Sequence, residues 1–133
     1  MTGEKVERLE LQFDYFKRAL ARLREPLAEI ENDIVRDSII QRFEFTFEMA
    51  WKTMFRYLAD KGEEVDPRAW SVLPVAFEVR LIDDADVWDR MRELRNDASH
   101  EYDEKMAVQV AAFVRTKALP AFEAFEARMA ERK

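Results

Sequence analysis

The amino-acid sequence predicts an all-α fold, an up-and-down four-helix bundle with one additional short helix. Two glycines and four prolines among 133 residues leave few turns and favour long regular elements. Apolar residues recur in steps of three and four, which is the period of a helix, and no strand alternation persists across a wider window. The length predicts a single domain over residues 1–133, large enough to bury a core without disulfides.

The first predicted helix spans about residues 3–25. Its apolar residues form one stripe and leave charged residues on the opposite face; they are Val6, Leu9, Phe13, Phe16, Leu20 and Leu23. Pro26 removes a backbone donor and clashes with the preceding turn, so we expect the helix to end or kink there. Asn32 and Asp33 are candidate caps for the next helix.

The second predicted helix spans about residues 34–61 and is closed by Gly62. One broad apolar stripe follows the helical period and consists of Ile40, Phe43, Phe47, Trp51, Met54 and Leu58. Phe45 and Met49 fall on a nearly opposite face. This helix therefore either contacts both its own bundle and a second subunit, or is a central helix buried on most sides.

Three further helices complete the bundle. Asp66 and Pro67 predict the start of a short third helix that runs to about residue 80. The fourth helix starts at Asp83 or Asp84. Its inward-pointing residues are predicted to be Val87, Trp88, Met91 and Leu94. Asp103 and Glu104 suit the amino end of a last helix that runs to about residue 128, with a kink near Pro120. Its apolar positions are Met106, Val110, Phe113, Val114, Leu119, Phe122 and Phe125.

Composition excludes several classes of protein. The absence of cysteine excludes a disulfide scaffold and fits a reducing cytoplasm, and no apolar run approaches the roughly 20 residues of a membrane span. Neither a phosphate-binding glycine loop nor a His-rich metal motif is present, so we predict no cofactor and no metal. Asp83, Asp84 and Asp86 are interpreted as helix caps. A net charge of −6 means that any RNA must be bound by a local arginine cluster or a dimer groove.

The run from Arg95 to Tyr102 carries the most specific chemistry, and it contains the only histidine, His100. An arginine donates paired hydrogen bonds to a phosphate, and an imidazole titrates near neutrality. If the helix ends between Arg95 and His100, the two can cleave RNA without a metal, because His100 assists attack by a ribose 2′-hydroxyl and Arg95 stabilises the developing charge. The alternative is that His100 is a capping residue and Arg95 pairs with an acid.

Four other polar residues belong to this hypothesis. Asn96 and Ser99 either orient His100 and contact a phosphate, or are ordinary helix-end residues. Tyr102 either stacks on a base or accepts a chemical group on its hydroxyl, or packs at the bundle edge. Glu44 projects into the apolar stripe of the second helix and needs a partner, which Arg95 or Arg42 can supply.

Two blocks of the sequence resemble the HEPN superfamily, and more closely its nucleotidyltransferase substrate-binding-like branch. Arg95, Asn96 and His100 match the pattern Arg-x4–6-His with a polar residue after the arginine. The segment 41–52 resembles the Gln-Arg-Phe-Glu-Phe-Thr-Phe-Glu type helix of that branch, and 88–102 resembles its Trp…Met…Arg-Asn…Ser-His-x-Tyr segment. The likeness extends from about residue 5 to residue 125.

The resemblance implies a homodimeric HEPN-like bundle paired with a minimal nucleotidyltransferase. It implies a metal-independent endoribonuclease toxin that this partner restrains, in which Arg95 and His100 are catalytic and Asn96 is auxiliary. Tyr102 would be the residue to which the transferase adds AMP. One alternative is a non-catalytic subunit that binds a nucleotide or substrate for the transferase, and another is a purely structural helical adaptor.

Overall fold

A computed structural model of the chain describes residues 3–97 and 103–132, all helices and short connections without a strand in these ranges. The elements are α1 (Gly3–Leu27), α2 (Asp33–Asp60), α3 (Ala69–Glu78), α4 (Ala85–Asp97), α5 (Glu104–Phe113), a π-helical segment (Val114–Ala118) and α6 (Leu119–Arg132). The last three are continuous and form one long helix. The all-α prediction is confirmed, with α3 as the additional short helix.

Large aromatic side chains from several helices meet at the centre of the bundle. The rings of Phe16 and Phe125 lie 5.2 Å apart between centroids, and those of Trp88 and Phe122 lie 5.5 Å apart, both edge to face. Each of these four side chains is at most 1% exposed. The buried apolar residues of the described ranges form one cluster, so a shared core holds α1, α2, α4 and the last long helix together.

Two buried threonines join α1 to α2. Thr46 Oγ donates to the carbonyl of Ala19 at 3.3 Å, and Thr53 Oγ donates to that of Gln12 at 3.2 Å. The later residue of α2 bonds the earlier residue of α1, so the two helices are antiparallel. Short side chains allow this close approach, and each hydroxyl shares its one hydrogen with the carbonyl four residues before it, at 2.7 Å.

Pro26 lies in the last turn of α1, which ends at Leu27 rather than at the predicted residue 25. Because proline has no N–H, the carbonyl of Arg22, four residues earlier, loses its helical partner. The guanidinium of Arg42 on α2 donates to this oxygen, with Nη1 and O 2.7 Å apart. A bond between helices thus replaces one within α1.

The caps agree with the predictions at three of the helix starts. The side chain of Asn32 accepts a hydrogen bond from the N–H of Val35 at 2.9 Å. Asp84 accepts one from the N–H of Val87 at 3.3 Å, and Asp103 accepts one from the N–H of Met106 at 2.8 Å. Gly62 closes α2 with a φ of +85°, the left-handed conformation that favours glycine.

The predicted boundaries of the third helix are wrong. Asp66 and Pro67 precede α3, which begins at Ala69, because the N–H of Asp66 donates to Ser71 Oγ and forms a turn there. The helix ends at Glu78, and Arg80 follows with a φ of +62°. A left-handed residue cannot continue an α-helix, so the chain reverses at this point.

The π-helical segment ends two residues before Pro120, near which the sequence predicts a kink. The N–H of Leu119 donates to the carbonyl of Val114, five residues earlier, which widens the turn. The last helix continues to Arg132, beyond the predicted residue 128. Met106, one of the apolar positions of the last predicted helix, is exposed, whereas the smaller Ala111 and Ala118 are buried.

The second apolar face of α2 is open in this chain. Phe45 is 56% exposed, although Phe43 and Phe47 on either side of it are buried.

Among the described residues, no helix is both long enough and apolar enough to cross a membrane.

Candidate active site around Arg95

Arg95 lies in the last turn of α4 and reaches across to α2. Its Nη1 is 3.7 Å from Glu44 Oε2, and its Nε is 3.4 Å from Glu48 Oε1. Both separations exceed the 2.7–3.2 Å of ordinary N–H···O hydrogen bonds, and Nε has no hydrogen-bond partner within the described part of the chain. The two carboxylates therefore hold the guanidinium by charge, at separations longer than ordinary hydrogen bonds. Its side chain stays 36% exposed, so a solvent-borne anion can reach it.

Glu44 is the carboxylate that the sequence singles out as needing a partner. Its side chain is 23% exposed, and Arg95 is the cation beside it. Burial raises the pKa of the Glu44 carboxyl, and the positive charge of Arg95 offsets part of that rise. Arg42, the other candidate partner, is engaged elsewhere, with the Arg22 carbonyl and with Glu25 at 3.6 Å.

Sequence reasoning missed Glu48. It lies one helical turn after Glu44, and its second oxygen is 3.9 Å from the Nζ of Lys52, one further turn along α2. A signal for it was present, because residues four apart on a helix share a face. Charges of alternating sign thus follow one another along this surface: Arg95 of α4, then Glu48 and Lys52 of α2.

The remaining predicted site residues are only partly described. Asn96 is exposed in the last turn of α4. Ser99, His100 and Tyr102 lie outside the described residues. The described chain resumes at Asp103, the residue after the motif, whose side chain caps α5.

The acidic cluster before α4 does not form a metal site. Asp84 caps the helix, whereas both oxygens of Asp83 pair with Arg128 on α6, at 3.1 and 3.0 Å from Nη2. The interpretation as caps is thus right for Asp84 and wrong for Asp83. Across the described ranges, no group of three or more candidate ligands is placed to hold a metal ion.

The helical bundle, with Arg95 at the end of α4 facing carboxylates of α2, agrees with the HEPN-like fold that the resemblance implies. The chain belongs to the family described as nucleotidyltransferase substrate binding protein like, whose model matches residues 11–131. The resemblance stated from the sequence is therefore confirmed at the level of the family.

The chain is also similar to individual proteins of known sequence or structure. The probable ribonuclease HepT of Haemophilus influenzae is 33% identical over 92 residues, and the match spans 63% of this chain and 63% of that protein. A crystal structure of a Thermus thermophilus protein is 31% identical, with a TM-score of 0.71 over 88% of this chain and 97% of that one. A mutant of the toxin-antitoxin MntA-HpeT is 17% identical, with a TM-score of 0.75 over 92% of this chain and 97% of that one, and this likeness concerns the fold.

Proposed function

We propose that this chain is a metal-independent endoribonuclease that acts as a toxin and is restrained by a minimal nucleotidyltransferase partner. The observation that carries the proposal is the Arg95 guanidinium, held by Glu44 and Glu48 five residues before His100, with an Nε that has no hydrogen-bond partner among the described residues. The similarity to a probable ribonuclease supports the reaction class. The fold that the chain shares with a toxin-antitoxin protein supports the two-component arrangement.

The proposed reaction needs one proton acceptor and one fixed cation. His100 takes the proton of a ribose 2′-hydroxyl, whose oxygen then attacks the adjacent phosphorus. The bond from phosphorus to the 5′-oxygen of the next nucleotide breaks, and that oxygen takes a proton from water. The products are a 2′,3′-cyclic phosphate and a 5′-hydroxyl end. Arg95 binds the phosphate and stabilises the negative charge that develops on its oxygens. Asn96 and Ser99 orient the phosphate or His100 in this scheme.

The proposed assembly is a homodimer bound to the transferase. In it, the transferase restrains cleavage by adding AMP to Tyr102, two residues after His100. A bulky anionic group at that position would repel the phosphate that Arg95 has to bind.

The test is RNA cleavage by the purified protein in EDTA, with His100→Ala alongside. We expect wild type to leave 2′,3′-cyclic phosphate ends and His100→Ala to be slower by at least about 100-fold. Light scattering and circular dichroism check that the variant keeps the assembly and fold of wild type. Cleavage at the wild-type rate by His100→Ala would contradict the assignment.

A second candidate function is supported by the family description, which concerns substrate binding. In this alternative the same Arg95 site binds a nucleotide for the transferase and cuts nothing. A folded dimer that leaves RNA intact in the same assay, yet binds a nucleotide in an Arg95-dependent way, would favour it.

A further inference from the structure

The surface of α1 and α2 that faces away from the core contains an apolar groove. Its volume is about 510 Å³, within the roughly 300–1,000 Å³ range of ligand sites. Tyr15 of α1 and Phe45 of α2 line it and are 41% and 56% exposed, and Met49 lies between the helices, where Gln12 contacts its sulfur. Two exposed rings on adjacent helices form a surface on which flat molecules can stack.

Every charged side chain that the described residues contribute to this groove is basic. Arg18, Arg22 and Lys52 line it, and Arg42 lines an adjoining depression that shares Arg22 and Phe45 with it. Neither Arg18 nor Arg22 forms an ion pair with a carboxylate of residues 3–97 or 103–132. A chain with a net charge of −6 thus concentrates cations around its exposed rings.

The groove is linked to the Arg95 site by two ion pairs that share Glu48. Lys52 lines the groove and is 3.9 Å from Glu48, whose other oxygen is 3.4 Å from Arg95. One carboxylate therefore separates the groove from the proposed cleavage position. A polymer cut at Arg95 that extends along α2 meets the groove next.

Charge decides between the candidate occupants. A two-fold symmetric contact places the same patch of both copies together, so a dimer formed through this groove would bring its cations against each other. A polyanion with flat bases is complementary to both features, because phosphates pair with the cations and bases stack on aromatic rings. Single-stranded RNA has both.

We propose that the α1–α2 groove is a binding subsite for single-stranded RNA. Tyr15 and Phe45 stack on bases, while Arg18, Arg22 and Lys52 bind the phosphates that flank the one held at Arg95. The subsite rests on the proposed function for its substrate class. It supplies the local positive surface that an acidic chain requires in order to bind RNA.

The test is binding of a fluorescein-labelled single-stranded RNA of about 12 nucleotides, followed by anisotropy in EDTA. His100→Ala serves as the background, so that cleavage does not obscure binding. The groove variant is Arg18→Glu with Arg22→Glu. Its matched control is Arg68→Glu with Lys117→Glu, which makes the same charge change at exposed positions that line neither the groove nor the depression beside it.

We expect the groove variant to raise Kd by at least about tenfold and to reduce the slope of log Kd against log salt by about 1.4, as for two lost phosphate contacts. The control variant is expected to keep the slope of the background protein. Phe45→Ala removes a stacking ring without changing charge and is expected to raise Kd by roughly tenfold with the slope unchanged.

The failures of the two proposals are distinguishable. Normal RNA affinity in the groove variant overturns the subsite even if His100 proves essential for cleavage. Groove-dependent RNA binding by a protein that cuts nothing upholds the subsite and contradicts the ribonuclease. A groove variant that changes mass in light scattering identifies the face as a contact between protein chains and overturns the RNA proposal.

Discussion

Glu44 is a carboxylate in the apolar stripe of α2, and Arg95 is the cation that compensates it. Removal of Arg95 would leave a partly buried charge without its partner, so a loss of activity in Arg95→Ala would mix a structural effect with a catalytic one. For this reason His100, rather than Arg95, is the informative position for testing the reaction.

Replacement of Glu44 with glutamine tests the environment of this carboxylate. Because burial raises its pKa in the folded protein, the folded state binds the proton more tightly than the unfolded state, and ionisation costs stability as the pH rises. Glutamine avoids that cost. The free energy of unfolding of Glu44→Gln relative to wild type is therefore expected to increase by roughly 0.5 kcal/mol from about pH 4 to about pH 7, a modest value because solvent reaches the group.

Urea titrations at the two pH values measure this difference, and the exposed Glu63→Gln is the control. A loss of stability of Glu44→Gln relative to wild type as the pH rises would contradict the prediction. It would mean that the attraction between Arg95 and the ionised Glu44 carboxylate exceeds the cost of burying that carboxylate.

The sequence predicts some residues of the candidate site better than others. A charge within an apolar stripe predicted that Glu44 needs a partner, and the structure places Arg95 beside it. The role of His100 stays a prediction. The bond from Thr46 to α1 could not be predicted, because it depends on a carbonyl far along the chain. The same holds for the bond that Arg42 donates from α2 to a carbonyl of α1.

At the scale of the helices, hydrophobic period and caps predicted the existence and order of the elements. The boundaries were less predictable where tertiary contacts compensate a local defect. Pro26 stays inside α1 because Arg42 satisfies the carbonyl that proline leaves free. Conversely, α3 begins later than its aspartate and proline indicate, because Ser71 draws the preceding backbone into a turn.

A double-mutant cycle tests the compensation at the end of α1. Arg42→Ala alone leaves the Arg22 carbonyl without its partner and is expected to lower the free energy of unfolding by about 1 kcal/mol. In a Pro26→Ala background the new N–H at residue 26 can bond that carbonyl, so the same substitution should cost less. Urea denaturation of the four proteins gives the coupling energy, and a coupling of zero would contradict the explanation.

At the scale of the whole molecule, one aromatic cluster holds the helices together. The ring of Phe122 lies within 6.3 Å, between centroids, of those of Phe16, Phe43 and Trp88, which come from three other helices. Phe122→Ala is therefore expected to lower the free energy of unfolding by about 3–5 kcal/mol.

The exposed Phe77 on α3 is the matched control, and Phe77→Ala is expected to cost about 0.5 kcal/mol or less. Urea denaturation followed by circular dichroism measures both. Should Phe122→Ala fail to fold, Phe122→Leu keeps most of the volume and is expected to lose less. Equal costs at the two positions would show that the cluster is not the centre of stability.

The π-helical segment before Pro120 is a place where the chain holds one residue more than an α-helix needs. Its turn accommodates one residue more than an α-helical turn, and buried Val114, Ala118 and Phe122 stay on one side of the long helix at intervals of four. Deletion of the exposed Lys117 would turn the segment into ordinary α-helix while Phe122, Phe125 and Met129 still face the core. We therefore expect this chain to tolerate the loss of one residue inside a helix, a tolerance otherwise associated with surface loops.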